Sequence, residues 1–330
     1  MEYHESTKYN LSYYGSDYPV DSLVQRMNEE EIIVPHFQRE YVWKHDEASR
    51  FIESLILRLP VPSIFLLRDK VTNRLIIIDG QQRLKTLLYF FKGEFPGGQK
   101  FYLKNVLPEY ERKTFQNLNM SDQRELKNSI IHCIIIMDEE ESDAPYHLFE
   151  RLNTTGTPLT SQEIRSALYF GPFNDLLILL NNENDWNRIV KKDIRLTDQE
   201  YILRLIAFHY DFEYYNGNMK SFLNQFMMRN RELSNFNKDE VQSFFLPTIH
   251  FLSEILSSHK RAFSIAFFEP VFYFISKERL YDKSVSEVSE LIKDLSNDEE
   301  YLKLSKSSTT SKSSIYHRFD YVKHKFSELL

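Results

Sequence analysis

The stretch Ile76-Ile77-Ile78-Asp79-Gly80-Gln81-Gln82-Arg83-Leu84-Lys85-Thr86 changes its hydrophobic period at its centre. Ahead of Asp79 lies a short β-branched run of the kind that forms a buried strand. Beyond Gly80, Leu84, Leu87, Leu88 and Phe91 fall at i, i+3, i+4 and i+7, which predicts one face of a helix. Between the two, a residue without Cβ lets the backbone turn tightly or approach a ligand. The first-turn amides of such a helix, together with the positive end of its dipole, form an anion site. Arg83 and Lys85 are disfavoured there by about 0.3–1 kcal/mol each when no anion is present. Because helical side chains lean toward the N-terminus, Arg83 can sweep back over an anion held by the backbone. Asp79, at the carboxyl end of the strand, can hold magnesium or position a water. An alternative carries equal weight: Asp79 caps the helix while Arg83 pairs with a surface carboxylate.

Working outward, residues 63–67 and 75–78 read as two buried strands joined by a polar turn containing Asn73. Upstream, Phe51, Ile52, Leu55, Ile56 and Leu59 share one face of a helix over 46–59, with Asp46 as its N-cap and Pro60 as its stop. The segment Pro35-His36-Phe37-Gln38-Arg39-Glu40-Tyr41-Val42-Trp43 precedes it. Arg39 is suited to a phosphate, and Trp43 or Tyr41 to stacking on a base, although a core anchor is an equally physical role for Trp43. Downstream, residues 130–136 read as a third strand in which Cys133 is a small core residue. A helix over 145–152 follows, then Phe149-Glu150-Arg151-Leu152-Asn153-Thr154-Thr155-Gly156-Thr157-Pro158-Leu159. Asn153 and Gly156 suit a left-handed helix end, while Glu150, Asn153 and Thr154 carry the oxygens of a phosphate and metal shell. Thr160 and Glu163 have capping-box spacing, so another helix runs to about Phe170.

From about 172 onward the periodicity is helical only, which divides the chain into an α+β domain over 1–170 and an all-helical domain over 171–330. The serine-rich tract 305–314 reads as a flexible loop before a final helix. Aromatics make up 15% of the 330 residues, ample material for packed cores. A formal charge of −7 argues against a surface coated in basic residues for indiscriminate nucleic-acid binding. Met1-Glu2-Tyr3-His4-Glu5 lacks the parts of a signal peptide and no apolar run is long enough to span a bilayer, so a cytoplasmic location is expected. There is no Gly-Lys-Ser or Gly-Lys-Thr phosphate loop, and no cysteine or histidine spacing suited to zinc. Glu125-Leu126-Lys127 has a nuclease-like spacing in a polar helical stretch, and reads as a solvated face.

Three segments, Gln38 to Trp43, Ile78 to Arg83 and Phe149 to Leu159, resemble in the same order the N-terminal, GmrS-like domain of GmrSD-type modification-dependent restriction systems. The resemblance covers about residues 15–170. It implies a ParB/sulfiredoxin-like fold that binds and hydrolyses a nucleoside triphosphate through a Gly-x-x-Arg helix start, here Gly80 and Arg83. Carried over residue by residue, Asp79, Gln81, Gln82 and Arg83 take the hydrolytic role. Gln38, Arg39, Trp43, Gly80, Arg83, Lys85, Thr86, Asn153, Thr154 and Gly156 surround the nucleotide, and Asp79, Glu150 and Asn153 hold magnesium. DNA, and a separate nuclease or methyltransferase subunit, are the implied partners in a phage-defence system. A non-hydrolysing DNA-binding or adaptor module is the alternative. Full-length relatives continue into an HNH-like nuclease marked by a His followed closely by Pro, and no such match follows residue 170.

Overall fold

In a computed structural model of the chain, residues 11–34, 41–137, 144–152, 159–257, 264–306 and 308–327 are described. Two compact units meet in sequence between Pro158 and Leu159. The difference from a boundary at 170/171 lies in the helix Ser161–Leu168, which packs on helices of the second unit.

The first unit is α+β. In chain order it runs β1 (Ser12–Pro19), α1 (Val20–Asn28), β2 (Ile32–Ile33), α2 (His45–Ile56), β3 (Ile64–Arg68), β4 (Leu75–Asp79), α3 (Gln81–Lys92), α4 (Met120–Asn128), β5 (Ile130–Met137) and α5 (Ala144–Leu152). The sheet order is β1-β5-β3-β4-β2. β3 and β4 form an antiparallel hairpin, and each also has a parallel neighbour, β5 and β2 respectively. The hairpin turn is closed by Asn73 at φ 59° and by buried Asp69, whose carboxylate accepts from the Thr72 amide at 2.8 Å. The three apolar runs expected as strands sit at or beside the centre of the sheet. Ile64, Leu66, Ile77, Ile131, Cys133 and Ile135 are fully buried there, beneath Leu23, Ile52, Leu84, Leu87 and Phe90 from α1, α2 and α3. Burying each such side chain contributes roughly 1.5–3 kcal/mol. Burial also pushes the Cys133 thiol up to about 12, in keeping with its reading as a core residue.

Several local expectations are corrected. α2 begins at His45 and ends at Ile56, where Arg58 at φ 59° turns the chain, so Leu59 is left 52% exposed. Asp46 does not cap it. Its carboxylate binds Asn105 Nδ2 at 2.6 Å and Lys104 at 3.3 Å, while Glu47 accepts from the Lys44 amide at 2.7 Å. β1, α1 and β2 carry no strong sequence signal, because β1 reads Ser-Tyr-Tyr-Gly-Ser-Asp-Tyr-Pro and has no apolar alternation. It is nevertheless paired over its whole length, Ser12 opposite Met137 through Pro19 opposite Ile130.

The second unit is all-helical among the described residues: α6 (Ser161–Leu168), α7 (Pro172–Asn181), α8 (Asn184–Ile189), α9 (Thr197–Asp211), α10 (Met219–Asn230), α11 (Lys238–Ser257), α12 (Ile265–Lys277), α13 (Val285–Asn297), α14 (Glu299–Leu304) and α15 (Lys312–Phe326). Its core is aromatic, with Phe208 meeting Phe222, Tyr215 and Phe319 at ring separations of 5.4–5.5 Å. The serine-rich tract is not a loop throughout. Ser311 caps α15 by accepting from the Ser314 amide at 3.2 Å, and Lys312 onward is helical. Arg318, fully buried, donates to the Thr309 carbonyl at 2.8 Å and meets Glu269 at 3.4 Å, while Glu269 also pairs with Arg204 at 2.5 Å. These contacts fasten the tract to the core. No helix among the described residues is long and apolar enough to cross a membrane.

Two measurements check this arrangement. Ser311→Ala is expected to cost about 1 kcal/mol in urea unfolding, the value of an N-cap; no change would mean that α15 starts elsewhere. Burial, with Lys277 nearby, holds the His209 imidazole down to about 3. The unfolded chain therefore binds this proton more readily, and stability falls as pH drops below the ordinary histidine value of about 6.5 toward 3. In His209→Gln that segment of the pH–stability curve flattens; an unchanged curve would show that the imidazole is solvated.

Candidate functional site

β4 ends at Asp79, Gly80 sits at φ 97° and ψ 10°, and α3 starts at Gln81. This left-handed conformation favours glycine. Space demands it as well, because a Cβ would lie 2.8 Å from Ile64 Cγ1 and 3.1 Å from Cγ2. The close approach made possible by Gly80 is thus to the neighbouring strand β3, and the corner is sealed from beneath by a fully buried side chain. Gly80 is itself the N-cap of α3, and the first turn holds no acidic residue. α4 and α6 differ, with Asn119 accepting from the Asp122 amide at 2.8 Å and Thr160 from the Glu163 amide at 3.1 Å. The α3 start therefore keeps its positive dipole end uncompensated by an N-cap side chain.

Asp79 and Arg83 form a pair across one helical turn. Arg83 Nη2 donates to Asp79 Oδ2 at 2.7 Å, and Nη1 donates to the carbonyls of Pro62 and of Ser63, the latter at 3.0 Å. The sequence left open whether Asp79 caps the helix with Arg83 paired elsewhere. In the structure Gly80 takes the cap position and the two charged residues bind each other. Arg83 is 12% exposed and Asp79 42%, so the pair itself is worth at most about 1 kcal/mol. Its effect is geometric: it holds a planar guanidinium at the helix start.

Other motif residues face inward. Gln82 Oε1 accepts from the amides of Val42 at 3.0 Å and Trp43 at 3.2 Å. Thr86, fully buried, donates to the Gln82 carbonyl at 2.7 Å, so the hydroxyl of Tyr41, also at 2.7 Å, must donate to Thr86 Oγ1. Burial pushes the Tyr41 phenol up to about 12. The Tyr41 ring meets Tyr89 edge-on at 5.1 Å, and Trp43 meets Phe51 at 5.6 Å. Trp43 is half-buried against the core, so the anchoring role that the sequence allowed is present. The Tyr41–Thr86 link was not anticipated; its only trace in the sequence is a polar residue on the apolar face of α3.

Gln81 and Lys85 are half-buried on the first turns of α3. Glu150 is exposed on α5, with His147 at 3.8 Å, and α5 packs on β4, the strand that carries Asp79. Gln38, Arg39, Asn153, Thr154 and Gly156 lie outside the described residues. Among the described residues, no three His, Cys, Asp or Glu side chains gather closely enough to hold a metal ion. Glu125 is bound by Arg58 on the surface, consistent with a solvated role.

Residues 20–170 match the family of the N-terminal domain of GmrSD restriction endonucleases. The span therefore takes in the first unit from α1 onward and ends just past α6. An uncharacterized protein of Methanocaldococcus jannaschii is 27% identical over 132 residues, an alignment covering 33% of this chain and 21% of the relative. The matched region thus spans about a fifth of that relative's length.

If Gly80 is required by packing against Ile64, Gly80→Ala should destabilise the first unit by about 2–4 kcal/mol, combining a left-handed alanine with an overpacked contact. In an Ile64→Ala background the same change should cost at least ~1 kcal/mol less. Equal costs in both backgrounds, measured by urea unfolding, would remove the packing explanation.

Proposed function

We propose, from the premise that residues 20–170 belong to the GmrSD N-terminal domain family, that this chain is a nucleoside triphosphate-binding regulator of a DNA-restriction system, with its triphosphate site at the start of α3. The observation that carries the reading is the β4–α3 corner: a left-handed glycine, a helix start with no acidic residue in its first turn, and Arg83 held beside it. Such a corner attracts phosphate through backbone amides and the helix dipole together.

Binding would proceed by exchange of partners. Arg83 is paired with Asp79. An entering phosphate competes for the guanidinium and releases the Asp79 carboxylate, while Lys85, one turn along, adds charge. Trp43 and the clamp of Tyr41, Gln82 and Thr86 hold the 41–43 segment at the helix start. Hard carboxylate oxygens of Asp79 and Glu150 fit magnesium by type, and one or two suffice where phosphates supply the remaining ligands. That ion would neutralise charge on the phosphates. In this reading hydrolysis rests on Asp79, Gln81, Gln82 and Arg83, and a separate nuclease or methyltransferase subunit would receive the signal.

One observation favours the second reading, a non-hydrolysing DNA-binding or adaptor module: Arg83, Gln82 and Thr86 already satisfy hydrogen bonds within the protein. The two readings separate in one experiment. Thermal unfolding of the full chain with magnesium and each of ATP, GTP, CTP and UTP should show a rise of a few degrees for at least one, lost in Arg83→Ala. Phosphate release should fall at least tenfold in Asp79→Ala. No shift with any triphosphate would sink the nucleotide site. A shift with equal phosphate release by wild type and Asp79→Ala would leave binding and remove hydrolysis.

A further inference from the structure

The helical unit holds a second feature, remote in sequence from the α3 corner. At the C-terminal ends of α9 and α12 and beside the N-terminal half of α11 lies a groove of about 360 Å³, lined by His209, Ser243, Phe244, Ser276, Lys277, Arg279 and Tyr281. Its volume lies within the range of small-ligand sites.

The protons at the floor of the groove can be placed. Ser276 Oγ donates to the Tyr273 carbonyl at 3.0 Å, so its only proton is committed. The contact of 3.0 Å between Ser276 Oγ and His209 Nδ1 must then be donated by the imidazole. The ring is neutral, with its proton on Nδ1 and a lone pair on Nε2, and among the described residues nothing hydrogen-bonds Nε2. Ser243 Oγ likewise spends its proton on the Glu240 carbonyl, at 2.7 Å, and retains lone pairs. The imidazole lies flat on Phe244, with ring centroids 3.6 Å apart and planes 1° apart, which fixes its orientation. The groove therefore has two acceptors set among aromatic rings.

Around the rim the character reverses. Lys277 and Arg279 are exposed, with Arg279 near the Tyr281 ring at 5.8 Å and near Asp282 at 3.3 Å. Lys277 in the last turn of α12 also offsets the negative end of that helix dipole. Two cations beside two acceptors disfavour a cationic ligand. They suit a ligand that presents neutral N–H donors inward and an anionic group outward. A flat donor edge among aromatic rings, with a phosphate at arm's length, is the chemistry of a nucleotide.

We infer that this groove is a nucleotide subsite in which a base donates to His209 Nε2 and Ser243 Oγ while its phosphate is held by Lys277 and Arg279. The same chemistry is offered by a free mononucleotide and by a nucleotide at the end of, or turned out from, a strand. The subsite is independent of the triphosphate site proposed on α3, and the two are tested apart.

Equilibrium dialysis of the full chain against the four nucleoside monophosphates, in an Arg83→Ala background that disables the α3 corner, should detect binding of at least one at millimolar concentration. The rim variant Lys277→Glu/Arg279→Glu lies on exposed side chains and, apart from the small loss of dipole compensation at the end of α12, should unfold as cooperatively as the parent while weakening binding at least tenfold. His209→Phe, which keeps the stack on Phe244 and removes the acceptor, should weaken it about tenfold and leave competition by inorganic phosphate unaffected. Tighter binding of a short single strand than of the monophosphate assigns the subsite to a strand, and the reverse order to a free nucleotide. Absence of binding, equal affinity in the rim variant, or ribose 5-phosphate and inorganic phosphate competing as well as the nucleotide would each overturn the inference. Failure here leaves the α3 reading standing, since Arg83 is already removed.

Discussion

A glycine with nothing between its Cα and the side chain of Ile64 allows β4 to end and α3 to begin within a single residue. That contact constrains the rest of the first unit. It holds the start of α3 against the middle of the sheet and places Leu84, Leu87 and Phe90 over the buried faces of β3 and β4. It also aims the first turn, with Gln81, Gln82 and Arg83, at the edge where the strand carboxyl end and the 41–43 segment meet. Any side chain at position 80 would have to move either the backbone or a residue at the centre of the core.

The polar chemistry at this corner is ordered by the same constraint. With the helix start fixed, Arg83 reaches the Pro62 and Ser63 carbonyls just before β3 and the carboxylate at the end of β4. One guanidinium therefore ties together a strand entrance, a strand exit and a helix. Gln82 and Thr86, in the first and second turns of α3, tie the same helix to the segment entering α2. These side chains serve as scaffold for the corner. In the proposed nucleotide-binding reading, a phosphate at the helix start would compete for this guanidinium and so couple binding to the β3 and β4 ends.

The helical unit solves a different problem. Its core contains a buried group of two arginines and one glutamate, Arg204, Glu269 and Arg318, with Arg318 also holding the Thr309 carbonyl of the serine-rich tract. Charges removed from water need partners, and here each is paired within the group, although Arg204 Nη2 and Arg318 Nε are buried without a hydrogen-bond acceptor among the described residues. The tract is consequently part of the folded unit, although its composition resembles that of a linker.

The sequence by itself determined the strands and helices whose hydrophobic period is unambiguous: β3, β4, β5 and α3, the capping box of α6 and the helical character of the second half. It also marked Asp79 to Arg83 as the place to look, because a change of period across a glycine is a local signal. Tertiary structure alone decided β1, whose polar and aromatic residues become a strand by pairing along the full length of β5. It likewise decided the partner of Asp79, the donor for Thr86, and the fate of the serine-rich tract. For β1 and Thr86 the deciding group lies far along the chain, on β5 and at Tyr41, beyond the reach of pattern within a short window. For Asp79 the partner is only four residues away, but the cap position taken by Gly80 and the carbonyls before β3 that orient Arg83 are set by the assembled sheet. Local periodicity records which face of an element seeks the core; only the assembled core records what each polar atom finds there.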